Sequence, residues 1–186
     1  AETIFVADGT QAQFWLYDEA FTITQPRTLV LSEVYQTMGY CFAAAIGAKL
    51  AASAKPVVCI AGDGTFMMQL GEIATAVANR VPVIVVVLNN GHLNAIRHFQ
   101  RIHLGERYFA VKLHNPDFAR VAQAFGAQGF KVDHPSQLAP AVHAAMQGGT
   151  VAVLDVTVDD MPVPRRWLMR SDGGVVSTIT LLGLRS

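Results

Sequence analysis

Charge is what this sequence has least of. Asp, Glu, Lys and Arg make up 15% of its 186 residues, against about 25% in ordinary soluble domains. The 14 basic side chains balance the 14 acidic ones, so no net field draws nucleic acid or an anionic lipid surface. Disorder is excluded too, because 52% of the residues are hydrophobic and disordered chains combine low hydrophobicity with high net charge. So apolar a surface is expected to be partly covered by a partner. Cysteine is nearly absent. The 2 present, Cys41 and Cys59, each sit in an apolar run and are expected as buried free thiols, not as a disulfide or a metal pair, which suits a reducing, cytoplasmic compartment. Ala1 to Asp8 lack a basic start and a long apolar stretch, so no secretory signal is expected there. The longest aliphatic run, Val81 to Leu88, is broken by a proline and falls far short of the ~20 residues of a membrane span, so no membrane partner is expected.

What is present is an alternation. Short β-branched runs, at Thr3–Ala7, Arg27–Leu31, Pro56–Ala61, Pro82–Leu88, Gly129–Val132 and Val151–Val158, alternate with helical patterns. The helical patterns are Gln11–Ala20, Met38–Ala54, Met67–Asn79, Asn94–Ile102, Pro116–Phe125 and Ser136–Gln147. Several strand runs are continuously apolar, as strands covered on both faces must be. This order predicts an α/β fold: a doubly wound, mostly parallel six-stranded sheet with helices on both faces and right-handed crossovers. Residues 1–160 form that domain. Residues 161–186, with Pro162, Pro164, Arg165, Arg166 and Gly173-Gly174, read as an irregular extension. Arg165-Arg166 reads as an exposed basic pair beside Trp167.

In open α/β sheets ligands bind outside the carboxyl ends of strands, and two such ends stand out. In Gly62-Asp63-Gly64-Thr65 a carboxylate stands between two glycines, after an apolar strand and before a helix. Glycine lets backbone amides approach an oxyanion, and a helix amino end favours phosphate. The carboxylate repels bare phosphate unless a cation lies between them, and Mg²⁺ fits. A helix-capping aspartate in an ordinary turn is the alternative. Asn89-Asn90 ends a second very apolar strand, where amides are costly without partners. A turn with a helix cap is the alternative here. The stretch from Thr65 to Leu88 has room for one helix and one strand, the crossover that joins adjacent parallel strands. Asp63 and Asn90 are then expected at neighbouring strand ends, facing one ion.

These motifs resemble the thiamine diphosphate-binding motif of the acetolactate synthase and 2-oxo acid decarboxylase group. The resemblance extends through Asp8-Gly9-Thr10-Gln11, Thr37-Met38-Gly39-Tyr40, Gly64 to Thr75, Asn89-Asn90-Gly91-His92-Leu93 and Asn115-Pro116-Asp117-Phe118-Ala119. It covers roughly residues 3 to 158 and matches only the carboxyl-terminal, diphosphate-binding domain of such enzymes. The resemblance implies that Asp63, the Asn90 side-chain oxygen and the His92 backbone carbonyl ligate Mg²⁺. It also implies that Gly62, Gly64 and Thr65 contact diphosphate, that Leu93 lies in the cofactor pocket, and that Met38 props the cofactor in a bent form. The backbone carbonyl of Gln36 would accept the aminopyrimidine amino group.

The resemblance further implies a decarboxylase or an acetolactate synthase-like carboligase acting on a 2-oxo acid, in at least a dimeric assembly. Its active site would lie between this domain and a pyrimidine-binding domain or subunit. That second part would bring the glutamate that activates the cofactor ring, because Glu33, the only glutamate near Met38, matches no such motif. The isolated chain is therefore expected not to be a catalyst. The alternatives are a non-catalytic or regulatory Mg-diphosphate-binding domain, or another nucleotide-binding α/β domain. Two departures bear on the substrate side: Gln36 stands where many relatives have glycine, and Leu93-Asn94 where many have Tyr-Gly. His98, His103, His114 and His143 are expected as solvated or capping side chains, and Phe66, Met67 and Met68 as helix packing.

Overall fold

The computed structural model describes residues 3–9, 11–16, 22–32 and 34–159. Thr10, Glu33, the end of the helix expected to reach Ala20, and the 161–186 extension with Arg165, Arg166 and Trp167 lie outside the described residues. The elements run β1 (Ile4–Ala7), α1 (Gln11–Trp15), β2 (Leu29–Leu31), α2 (Cys41–Ala51), β3 (Val57–Gly62), α3 (Asp63–Met67) and α4 (Glu72–Ala78). They continue with β4 (Ile84–Asn89), α5 (Asn94–His103), α6 (Phe118–Ala124), β5 (Gln128–Val132), α7 (Pro135–Gln147) and β6 (Ala152–Thr157).

All six strands join one parallel sheet in the order β2-β1-β3-β4-β6-β5. The β-branched residues of β3, β4 and β6 explain their central places: both faces are covered, and Val6, Cys59, Val85, Val153 and Leu154 are fully buried. One face packs on α2, α4 and α6 around Phe42, Phe66 and Phe118. Their rings meet at centroid distances of 5.8 and 5.6 Å. Each such ring contributes roughly 1.5–3 kcal/mol of transfer free energy. The other face packs Leu154, Ile84 and Val132 against Ala145 of α7. From β1 the chain steps out to β2, then returns past β1 to β3. That reversal opens a crevice at the carboxyl ends of β1 and β3, the switch point where open α/β sheets bind ligands.

Three expected elements differ. The single helix over Met67–Asn79 is two helices, α3 and α4, with a turn between them. The turn is anchored because the buried Gln69 side chain accepts from Phe42 N at 2.9 Å and Ala43 N at 3.2 Å, two of the free amides at the start of α2. Phe66 packs in the core as expected, but Met68 is 63% exposed and Met67 is partly exposed. Helix α2 starts at Cys41 and not at Met38, because Gly39 holds φ at +76°. Helix α6 starts at Phe118, capped by Asp117 Oδ1, which accepts from Arg120 N at 3.0 Å. Asn115 and Pro116, expected to start it, precede it. Cys41 and Cys59 are free and buried. Among the described residues no helix is long and apolar enough to cross a membrane.

Candidate functional site

Strands β3 and β4 pair in parallel with Gly62 opposite Leu88. The loops that follow them, with Asp63 and Asn90, therefore leave the sheet side by side. Asp63 is buried and makes α3's first turn. Its Oδ1 accepts from its neighbour Gly64 N at 2.8 Å, and its Oδ2 accepts from Gly91 N at 2.7 Å. The Asp63 carboxylate thus bridges the two strand ends. Gly91 takes the left-handed φ of +70° that lets the chain turn back there. Asn90 Oδ1 accepts from His92 N at 3.1 Å, and the His92 ring Nδ1 pairs with Asn90 O at 2.8 Å. Both contacts hold the 90–92 turn closed.

The opposite wall comes from β1. Asp8 follows that strand, fully buried, and accepts from Gly39 N at 2.9 Å and from Tyr40 N at 3.1 Å. Burial raises its pKa above the ordinary carboxylate value, and these amide donors pull the other way. At Gly9 a Cβ would overlap the Gln36 carbonyl, so only glycine lets the two segments touch. Asp8 and Gly9 together fix the 36–40 loop, and Met38 with it. Gln36 has φ +47°, a left-handed conformation that costs an L side chain roughly 1–2 kcal/mol. A glycine at this position would avoid that cost.

A cleft opens between these walls, the concave kind of surface that takes small molecules. Met38, Gly62, Asp63, Gly64, Thr65, Asn90, His92 and Leu93 all line it. Gln36 is not among the residues that line the cleft; its carbonyl lies against Gly9, which does. A Cβ on Gly64 would lie 2.7 Å from Leu93 Cδ2, 3.2 Å from Leu113 Cδ1 and 3.8 Å from Met38 Cε. A side chain at Gly64 would therefore have to displace the Leu93 side chain.

Sequence reasoning missed several residues. Asp8 carried only its place in a motif. Asn115 turns inward and donates from Nδ2 to Asp63 Oδ2 at 2.7 Å and to Asn89 Oδ1 at 3.0 Å. The asparagine before Pro116 pointed to a helix start, and nothing local pointed to a partner 52 residues away. Gln11 and Asn94 also line the cleft, joined by a hydrogen bond from Asn94 Nδ2 to Gln11 Oε1. Asn94 Oδ1 is buried without a partner. His98, expected in solvent, is buried in α5, whereas His103, His114 and His143 are exposed as expected.

The residues present fit a magnesium diphosphate. The Thr65 hydroxyl and Asn90 Nδ2 are buried without hydrogen-bond partners, which a bound oxyanion or its ion shell would satisfy. Among the described residues no three His, Cys, Asp or Glu side chains cluster as a metal site. A cation here would rest on one carboxylate plus amide and carbonyl oxygens, the hard donors Mg²⁺ takes alongside substrate phosphates.

Residues 8–156 match the family model "Thiamine pyrophosphate enzyme, C-terminal TPP binding domain". The chain is 33% identical over 162 residues to the acetolactate synthase isozyme 2 large subunit of Escherichia coli, covering 87% of this chain and 29% of that protein. It is 34% identical over 192 residues to the acetolactate synthase large subunit of Corynebacterium glutamicum, covering 99% of this chain and 30% of that protein. Among solved structures, the thiamine diphosphate-dependent 4-hydroxybenzoylformate decarboxylase of Rhodococcus jostii RHA1 superposes with a TM-score of 0.77. The match has 22% identity and covers 85% of this chain and 30% of that one. The chain thus spans less than a third of the length of these relatives.

Proposed function

The chain belongs to the thiamine pyrophosphate enzyme family as its C-terminal TPP-binding domain, and from that premise we propose that it is the diphosphate-binding half of a magnesium-dependent enzyme acting on a 2-oxo acid. The observation that carries this reading is Asp63 at the end of β3, bonded across to the Asn90–His92 turn of β4, in a cleft that Met38 also lines. Asp63, the Asn90 side-chain oxygen and the His92 carbonyl hold the cation. Gly62, Gly64 and Thr65 take the diphosphate, with the unpartnered Thr65 hydroxyl as a donor to it. When bound, thiamine diphosphate supplies a thiazolium ring that serves as an electron sink beside a 2-oxo acid carbonyl. Met38 and Leu93 shape the apolar part of the cleft, exclude water and orient the bound rings. The Gln36 carbonyl, beside Gly9, is the acceptor for the aminopyrimidine. The reaction is a decarboxylation or an acetolactate synthase-like carboligation.

The other half of the active site is a pyrimidine-binding domain or subunit, in an assembly of at least two chains. Two features support this: the short span of the match, and exposed apolar side chains such as Tyr35 at 88% and Phe109 at 82%, which suit a docking face. Calorimetric titration of thiamine diphosphate with Mg²⁺ into the full-length protein tests the reading. Tight, Mg²⁺-dependent binding that Asp63→Ala abolishes is expected. Unchanged binding by Asp63→Ala overturns the site assignment.

A further inference from the structure

Two buried aspartates lie at the ends of one continuous hydrogen-bond chain. Asn115 Nδ2 donates one hydrogen to Asp63 Oδ2 at 2.7 Å and the other to Asn89 Oδ1 at 3.0 Å. Asn89 Nδ2 in turn donates to Asp155 Oδ1 at 2.9 Å. Asp155 Oδ2 accepts from Phe118 N at 3.2 Å and Lys131 Nζ at 3.1 Å. Every amide in the chain is oriented by the next, and the far end is anchored in the sheet, since Asp155 is opposite both Val87 and Lys131 in register. The two ends differ in charge balance. Asp155, wholly buried, has Lys131. Among the described residues none forms a salt bridge with Asp63, although it is only 3% exposed.

A carboxylate offers about four acceptor positions. Asp63 Oδ2 uses two, on Gly91 N and Asn115 Nδ2, whereas Oδ1 uses one, on Gly64 N. One position is left, on Oδ1. From this we infer that Asn115 is the positioning residue of the cation site: its amide fixes the Asp63 carboxylate so that Oδ1 is the oxygen presented to the ion, and Asn89 and Asp155 hold Asn115 in place. This rests on the reading of Asp63 as a ligand and adds a residue that touches neither ion nor cofactor. Without Asn115 the carboxylate is free to rotate about its last torsion, and the ordering Asn115 supplies must come from the ion's own binding energy. Partners of metal ligands of this kind are worth about 10–100-fold in metal affinity.

The test is the Mg²⁺ requirement for thiamine diphosphate binding in the full-length protein, read calorimetrically at stepped Mg²⁺ concentrations. Asn115→Leu keeps the volume and removes the donor. It is expected to raise the Mg²⁺ concentration for half-maximal cofactor binding about 10–100-fold, with full stoichiometry restored at saturating Mg²⁺. Asn115→Ser, which keeps a donor on a shorter arm, is expected to fall between Asn115→Leu and the wild type, and it decides the matter if Asn115→Leu does not fold. Asp63→Ala is not rescued at any Mg²⁺ concentration. An Mg²⁺ requirement for Asn115→Leu within twofold of wild type overturns the inference; where reduced stoichiometry that Mg²⁺ does not restore marks Asn115→Leu as misfolded, an Mg²⁺ requirement for Asn115→Ser within twofold of wild type overturns it. If Asp63→Ala binds cofactor normally, the ligand assignment itself fails, and the inference with it.

Discussion

The carboxyl ends of β1 and β3 carry the same dipeptide, Asp8-Gly9 and Asp63-Gly64, on adjacent parallel strands. The two put it to different uses. Asp8 spends its carboxylate on the chain itself, binding the amides of Gly39 and Tyr40. Asp63 binds Gly64, Gly91 and Asn115 and keeps one acceptor position. Gly9 is needed because the Gln36 peptide lies against it, whereas the nearest neighbour of Gly64 is the tip of the Leu93 side chain. On the proposed reading of Asp63 as a ligand, the comparison teaches that one local motif serves as a fastener or a ligand according to what the neighbouring loops leave unsatisfied.

The largest expected effect separates the two aspartates. Asp63→Ala should weaken Mg²⁺-dependent cofactor binding by about 10²- to 10⁴-fold, because removing a charged partner from a buried site costs about 3–5 kcal/mol. Calorimetry reads that loss, which should exceed the destabilisation of about 2 kcal/mol expected in the cofactor-free protein when Gly91 N and Asn115 Nδ2 lose their acceptor. Cofactor binding by Asp63→Ala within tenfold of wild type would mean that Asp63 is a fastener only. Met38→Ala comes next. It should leave binding partly intact and lower kcat by up to about 10²-fold, the cost of misplacing reacting groups by about 1 Å. Steady-state kinetics on the complete enzyme check it.

Asp8→Ala is the converse of Asp63→Ala. It strips the acceptor from two loop amides and should destabilise the fold by about 2 kcal/mol, seen in denaturant unfolding of the cofactor-free protein. The pH dependence sharpens this. Burial raises the Asp8 pKa in the folded state above its unfolded value near 3.8. Its stabilising contribution is then complete below that value and declines as pH rises through the folded pKa. The stability margin of wild type over Asp8→Asn should widen on acidification from neutral pH and level off below about 3.8. A margin that narrows on acidification would show that the amide bonds outweigh burial. The smallest effect is at Gln36. Gln36→Gly relieves a φ of +47° and should stabilise the loop by about 1 kcal/mol, measured by the same unfolding assay.

Much of this was legible in the sequence. The β-branched runs ending at Ala61 and Leu88 read as buried strands, and the distance between them allowed one crossover, so the pairing of β3 with β4 followed. The glycines around Asp63 marked a loop stripped of bulk. Asn90 was legible because it stands at a strand end, and His92 only through the family resemblance. The break at residues 68–71 was not, because the pattern from Met67 to Asn79 is apolar enough for one helix. Only the approach of α2, with free amides that Gln69 satisfies, divides it. Gln36 was legible as a departure from similar sequences, but its left-handed backbone was not.

The sequence by itself determined the strands and their parallel pairing at the site, because strand and loop character depend on short-range hydrophobic pattern and on glycine. Tertiary structure alone decided three things. It inserted β6 between β4 and β5. It turned Asn115 inward to Asp63 and Asn89. It closed the carboxylate of Asp8 on a loop 31 residues away. The reason is physical: a buried polar group must find a partner wherever the packed fold provides one, and that partner is set by distance in space, which local pattern does not encode.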